Sequence, residues 1–209
     1  MYDKIYCINL DKRTDRWEEF QRDVLEGLEL DKDKFERISA IDTSGLSGKD
    51  TGAIGCSLSH LKIWKDVIDN GYNSVLIFED DFEPIVSKDK FHDVIHEAYD
   101  VGFGVCSLDW SAGGNKYNSI HAKLSDNIWF MNQTVLCSGY IITLEYAKRM
   151  VHGLSNAITD MMINGPSWEN TLDTYWLQFQ DRGWVVCNPK IGRQRIGMSN
   201  IANVIVKRW

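Results

Sequence analysis

The sequence predicts an α/β fold, with helices packed on a mostly parallel sheet. Three observations predict it. "KIYCINL" (Lys4–Leu10) and "SVLIF" (Ser74–Phe78) are apolar runs of strand length. Each is joined along the chain to a stretch whose apolar residues recur at helical spacing. Strand and helix patterns then keep alternating to the end of the chain, as βαβ units do.

The elements follow in order. Lys4–Leu10 reads as a buried first strand. "DKRTDRWEEF" turns into a helix: Asp15 followed by Glu18 fits a capping box, and Trp17, Phe20, Val24 and Leu28 lie on one face. "FERISAID" (Phe35–Asp42) is a second strand, and "TSGLSGKDTG" a polar, glycine-rich loop. "AIGCSLSHLKIWKDVIDNG" is a helix closed by Gly71. After Ser74–Phe78 come a helix over Lys90–Tyr99 and a strand over Phe103–Leu108. The loop Ser111–Ser119, rich in Gly and Asn, is the best candidate for a lobe boundary. Gln133–Thr143 is strand-like, Leu144–Leu154 and Thr171–Gly183 read as helices, and Trp184–Pro189 as a short strand.

With 209 residues the chain suits one domain. A net charge of −7 argues against bulk nucleic-acid binding, which needs basic surface. No stretch approaches the roughly 20 apolar residues that span a bilayer. The opening "MYDKIYCINL" enters a strand pattern directly, so no leader peptide is expected. The five cysteines are scattered, odd in number and without a CxxC, which predicts buried free thiols in a reducing, cytoplasmic setting rather than a zinc site. The terminal "VIVKRW" is expected to pack as an edge strand, the alternative being contact with a membrane surface.

In sheets of this class ligands bind at the carboxyl ends of the strands, where strand order reverses. There the sequence places "EDD", Glu79, Asp80 and Asp81. Strand alternation would put Glu79 and Asp81 on one face, as a hard cation requires, and Asp80 on the other. A neighbouring Arg or Lys, or a solvated acidic turn, fits the same residues. Arg13 and Arg16, three apart at a helix start, suit either an anion such as phosphate or a surface ion-pair cluster. Gly52 and Gly55 permit close backbone approach. Ser59 and His60 lie on the helix that follows, where His60 either packs or meets a substrate. Trp110, Trp129, Trp168 and Trp176 suit sugar stacking or core packing.

Taken together, "INLDKRTDRW", "GAIGCSLSHLKIWKDVI" and "SVLIFEDDFEP", followed by "LCSGYIIT", "EYAKRMV" and "TLDTYW", resemble glycosyltransferase family 25 over roughly residues 4 to 200. The resemblance implies a glycosyltransferase A fold and an inverting transfer from a UDP-hexose, galactose or glucose, to a glycan, lipid-linked glycan or glycoprotein hydroxyl. It implies Mn²⁺ or Mg²⁺ on Asp81 with Glu79 in support, and Asp80 at the ribose. Donor contacts fall on Asn9, Leu10, Arg13, Arg16, Ser59, His60, Ser138, Gly139 and Tyr140. Residues 1–110 would bind the nucleotide sugar and 111–209 the acceptor. No His follows His152, so Gln194, Asn200 or water would complete the metal shell. Inversion needs a carboxylate base opposite the diphosphate. Asp173 is the first candidate; Glu169, four residues earlier near the expected helix start, where on one helix the two would share a face, is the second; Asp109 is the third. A metal-dependent nucleotidyltransferase or phosphohydrolase and a non-catalytic nucleotide-sugar- or glycan-binding module are the rival readings.

Overall fold

A computed structural model describes residues 1–48, 51–113, 121–198 and 205–206. Eight strands form one sheet in the order β2 (Phe35–Ser39), β1 (Lys4–Asn9), β3 (Ser74–Glu79), β10 (Gly139–Thr143), β5 (Val105–Ser107), β11 (Trp184–Cys187), β8 (Ile128–Met131) and β7 (His121–Lys123). β10 and β8 run against the other six. The chain passes from β1 to β2 on one side and to β3 on the other. β1 is therefore the point where the order reverses, and its end opens the crevice expected to hold a ligand.

Side-chain alternation divides the core into two layers. Tyr6 and Ile8 of β1 and Val75 and Ile77 of β3 face α2 (Gly52–Asn70) and α4 (Leu144–Asn164). Ile5, Cys7, Leu76 and Phe78 face α1 (Thr14–Phe20), the π-helical turn Gln21–Glu26 that continues it, and α3 (Lys88–Val101). β10 lies between β3 and β5, so residues 1–110 and 111–209 share one sheet. Among the described residues, no helix is long and apolar enough to cross a membrane.

Several local expectations need correction. α1 starts at Thr14, with Arg13 in the capping position and no side-chain cap, so Asp15 sits inside the first turn and holds Arg13 instead. The extended run expected over Gln133–Thr143 is interrupted, because Gln133 (φ 59°) and Leu136 (φ 83°) are left-handed and break the ladder. Only Thr134–Val135 (β9) and β10 remain extended. α4 runs ten residues past Leu154, to Asn164, because Gly153 lies under the rings of Tyr175 and Phe179 and does not end it. The helix expected over Thr171–Gly183 is one α turn, α5 (Leu172–Tyr175), and one 3₁₀ turn, Trp176–Phe179. A two-stranded ribbon not foreseen in the sequence pairs β4 (Phe82–Pro84) with β12 (Gly192–Gln194). Of the expected boundary loop, Ser111–Ala112 forms β6 against β9. Residues 114–120 lie outside the described residues, as do Asn200 and, from "VIVKRW", Val204 and 207–209. Ile205–Val206 pairs with Gly197–Met198.

Gly71 closes α2 in the left-handed conformation (φ 67°), as expected. Gly55 allows the start of α2 to lie against the segment after β2: a Cβ there would stand 2.3 Å from the carbonyl oxygen of Ile41. Gly55→Ala must push two backbone segments apart. It is expected to lower the unfolding free energy by about 1–3 kcal/mol in a denaturant titration, whereas Gly45→Ala, with open space around it, should change little.

Candidate active site

The three acids at the end of β3 do not stay together. Alternation holds through Glu79, which follows Val75 and Ile77 toward α2. There its Oε1 lies 3.0 Å from His60 Nε2 and accepts from the thiols of Cys56 and Cys137, each at 3.3 Å. The strand ends at that residue. Asp80 and Asp81 belong to the turn, and both face Arg16 of α1, whose Nη1 lies 2.8 Å from Asp80 Oδ1 and 3.1 Å from Asp81 Oδ2. The expected shared face of Glu79 and Asp81 is therefore corrected: the period-two rule ends with the strand.

Asn9, the last residue of β1, is buried and fixes Asp80. Its amide donates to Asp80 Oδ2 (2.6 Å) and to the Arg13 carbonyl (3.2 Å), while Oδ1 accepts from Arg37. Arg37 in turn lies over the Trp17 ring. Arg13 pairs with exposed Asp15 at 2.9 Å. From the other side the β12 segment closes over Asp81: Gln194 Nε2 donates to Oδ2 at 3.2 Å, and the Arg195 amide donates to the Asp81 carbonyl at 2.6 Å. Leu10 is partly exposed beside this turn.

Of the expected donor contacts, Ser59, His60 and Tyr140 are all buried. Ser59 has no exposed surface; its hydroxyl donates to the Gly55 carbonyl and accepts from the Ile41 amide. Tyr140, also buried, accepts from Trp64 Nε1 (2.9 Å) and lies 2.8 Å from His60 Nδ1. Both position α2 and His60 from below. Gly139 is demanded by packing, since a Cβ would meet Phe82 at 2.5 Å. Ser138 is buried beside the site; its hydroxyl donates to Asp109 (2.8 Å) and its carbonyl accepts from the Glu79 amide.

Electrostatics follow from this layout. Burial, reinforced by the charge of Glu79 and only partly offset by Arg16, pushes the Asp81 carboxyl up to about 7. Burial also raises Asp80, against the pull of Arg16 and Asn9. Burial acts to raise Glu79 too, but the bonds from His60 and the two thiols hold it below the ordinary carboxylate range. His60 would be lowered by burial, yet its contacts with Cys56 and Glu79 push it up to about 9. Asp173, near the start of α5, is raised by burial and then by the charge of Glu79, while the Leu136 amide stabilises its charged form. Asp109 is raised by burial, against the Ser138 hydroxyl and Lys190. Glu169 stands apart. It is exposed in the turn before α5, so the helical face it was expected to share with Asp173 does not exist. Trp168 is exposed beside it, whereas Trp176 is a core residue.

A hard cation fits Asp81. Its Oδ1 is buried without a hydrogen-bond partner, a carboxylate oxygen left open on the turn. Glu79 does not fit the same cation, because its Oε1 is already the focus of three neighbours on the α2 side. Glu79, expected in support of that cation, presents its Oε1 to His60 and the two thiols instead. Gln194, expected as a further metal ligand, donates its amide to that carboxylate. The sequence reading missed Arg37, Lys190, Cys56 and Cys137; the spacing of Cys56 four residues before His60 was the available signal.

Residues 46–102, which carry α2, β3 and the acids, match the family model described as glycosyltransferase family 25 (LPS biosynthesis protein). The chain is 29% identical over 189 residues to procollagen galactosyltransferase 2 of Homo sapiens, covering 72% of this chain and 27% of that protein. It is 26% identical over 160 residues to a putative glycosyltransferase of Haemophilus influenzae, covering 72% and 51%. The chain thus spans between about a quarter and about half of the length of these relatives. A solved glycosyltransferase involved in glycosylation of the major capsid of PBCV-1 superposes with a TM-score of 0.53 at 10% identity, over 89% of this chain and 81% of that one. That similarity concerns the fold, which is of the glycosyltransferase A type.

The buried Arg16 and the raised Asp81 carboxyl make opposite predictions for stability. Arg16→Ala leaves two buried carboxylates without their cation and should cost about 3–5 kcal/mol. Asp81 is held above its unfolded value of 3.8. Its contribution to stability is therefore fully present below about pH 4 and lost as pH rises through about 7. Asp81→Asn should remove that loss and leave the protein at pH 8 as stable as wild type or up to about 4 kcal/mol more so. Denaturant titrations of both variants at pH 5 and pH 8 check the pair of signs.

Proposed function

From its relationship to glycosyltransferase family 25, we propose that this chain transfers a sugar from a nucleotide-sugar donor to a hydroxyl acceptor. The donor is a UDP-hexose, galactose or glucose, and the acceptor a glycan, lipid-linked glycan or glycoprotein hydroxyl. The observation that carries the proposal is the open, buried Asp81 Oδ1 at the carboxyl end of β3, beside the switch point at β1. Mn²⁺ or Mg²⁺ on Asp81 would supply Lewis-acid stabilisation of the departing diphosphate.

The chain's own residues have separable tasks in this reading. Arg16 balances Asp80 and Asp81 in the free protein and is placed to turn its guanidinium toward a phosphate. Asn9 holds Asp80 in a fixed orientation for the ribose. His60, set by Tyr140 and Trp64, keeps Glu79 turned away from the donor cation. The half up to residue 110 supplies the donor contacts, and residues 111–209 the acceptor side. Inversion requires a carboxylate that accepts the acceptor hydroxyl's proton as that oxygen attacks the anomeric carbon. Asp173 suits this role: it is partly buried, has a raised pKa, and stands within electrostatic reach of Glu79. Glu169 is the second candidate and Asp109, committed to Ser138, the third.

The reading is tested by release of free nucleoside diphosphate from UDP-galactose or UDP-glucose, with and without Mn²⁺ and a hydroxyl acceptor. Acceptor-dependent release abolished by Asp81→Asn supports it. Donor binding with no release would favour a binding module, and cleavage between the phosphates a hydrolase. Asp173→Asn should lower the turnover rate by about 100-fold or more with donor affinity unchanged. Because the base works only when deprotonated, wild-type turnover should rise with pH through the raised Asp173 value, and the rise that remains in the variant should be that of Asp81 alone. Normal turnover by Asp173→Asn would move the role to Glu169 or Asp109.

A further inference from the structure

Cys56, His60, Glu79 and Cys137 converge on the α2 side of the sheet. One ligand-type atom from each lies within 4.8 Å of the other three. The distances around Glu79 Oε1 are 3.0 Å to His60 Nε2 and 3.3 Å to each sulfur. As hydrogen bonding this is a poor arrangement: two weak thiol donors and an imidazole crowd a single carboxylate oxygen. As a coordination shell it is close to what is needed. A tetrahedral zinc ion, with bonds of about 2.3 Å to sulfur and about 2.0–2.1 Å to nitrogen or oxygen, sets neighbouring ligand atoms roughly 3.3–3.8 Å apart. The three distances to Glu79 Oε1 would have to lengthen by a few tenths of an ångström, and any of the remaining pairs near the 4.8 Å limit would have to close in around the ion.

The four ligands stand on connected, rigid elements. Cys56 and His60 are one turn apart on α2, Glu79 ends β3, and Cys137 leads into β10, which pairs with β3. His60 is fully buried, and its other ring nitrogen meets the Tyr140 hydroxyl, which Trp64 holds in place. An outer partner of this kind is what orients a metal-bound imidazole. Two thiolates also set the choice of ion, because sulfur ligands select zinc over Mg²⁺ or Mn²⁺.

We propose that Cys56, His60, Glu79 and Cys137 bind one zinc ion, which clamps the first half of α2 to the mouth of the sheet. The two thiols give up their protons on binding, and no redox change is involved. The ion is distinct from a hard cation on Asp81, and the proposal does not depend on sugar transfer.

The test uses the whole chain, prepared under reducing conditions and loaded with Zn²⁺ or, as a spectroscopic probe, Co²⁺. The expected result is one equivalent of zinc retained per chain after dialysis. The cobalt form should show a thiolate-to-metal charge-transfer band and the intense visible bands of four-coordinate cobalt. Cys56→Ser and Cys137→Ser should each weaken zinc retention by at least about 100-fold, while Asp81→Asn retains a full equivalent. Absence of the thiolate band in wild type would overturn the site, a result that needs no variant to fold. Equal zinc retention by a folded double variant, Cys56→Ser with Cys137→Ser, would overturn it as well. Failure to transfer sugar in a chain that shows the cobalt spectrum would count against the proposed function alone.

Discussion

Three consecutive carboxylates leave a buried strand at Glu79, Asp80 and Asp81, and the local structure is organised around keeping them apart. Like charges this close in a low-dielectric setting repel strongly, and each would also lose solvation on burial. The end of β3 resolves the conflict by geometry. The last strand residue points to α2 and takes His60 and two thiols. The two turn residues point to α1 and take Arg16, with Asn9 and Gln194 steering the remaining oxygens. One oxygen, Asp81 Oδ1, is left over. That residue of unmet polarity, rather than the number of acids, marks the place for a cation.

Much of the surrounding packing serves this partition. Gly55 brings the start of α2 against the segment after β2, which seats Cys56 and His60 over Glu79. Gly139 lets Phe82 lie across β10, which keeps the turn after β3 closed. The pairing of β4 with β12 carries Gln194 and the Arg195 amide to Asp81. Arg195 also reaches Asp23 and Glu19, tying the late segment to the first helix.

The alternation of apolar runs with helical spacing was enough to read the layered fold, and the placement of the acids at a strand end followed from it. Contacts between distant segments were not readable. Cys56 and Cys137 look unrelated along the chain because only the pairing of β10 with β3 brings them to one carboxylate. Alternation also gave the wrong partner for Glu79, since the rule stops where the strand stops and a sequence does not mark that residue. Glu169 was placed on a helix by spacing, yet Ser167 and Asn170 stabilise a turn there and delay the helix to Leu172. Ser59 and Tyr140 were expected at the donor, and their burial beneath the site was not legible.

In the proposed transfer, Asp81 and Arg16 change partners when a donor binds, while Glu79 keeps its own. A crystal structure with a nucleoside diphosphate and Mn²⁺ tests this most directly, because anomalous scattering locates the ion independently of the surrounding density. The predicted result is a manganese peak on Asp81 and the diphosphate, with Arg16 turned toward phosphate oxygens and Glu79 still on His60. Manganese on Glu79 instead, or an ordered diphosphate with Arg16 still spanning both Asp80 and Asp81 and no ion on Asp81, would contradict it.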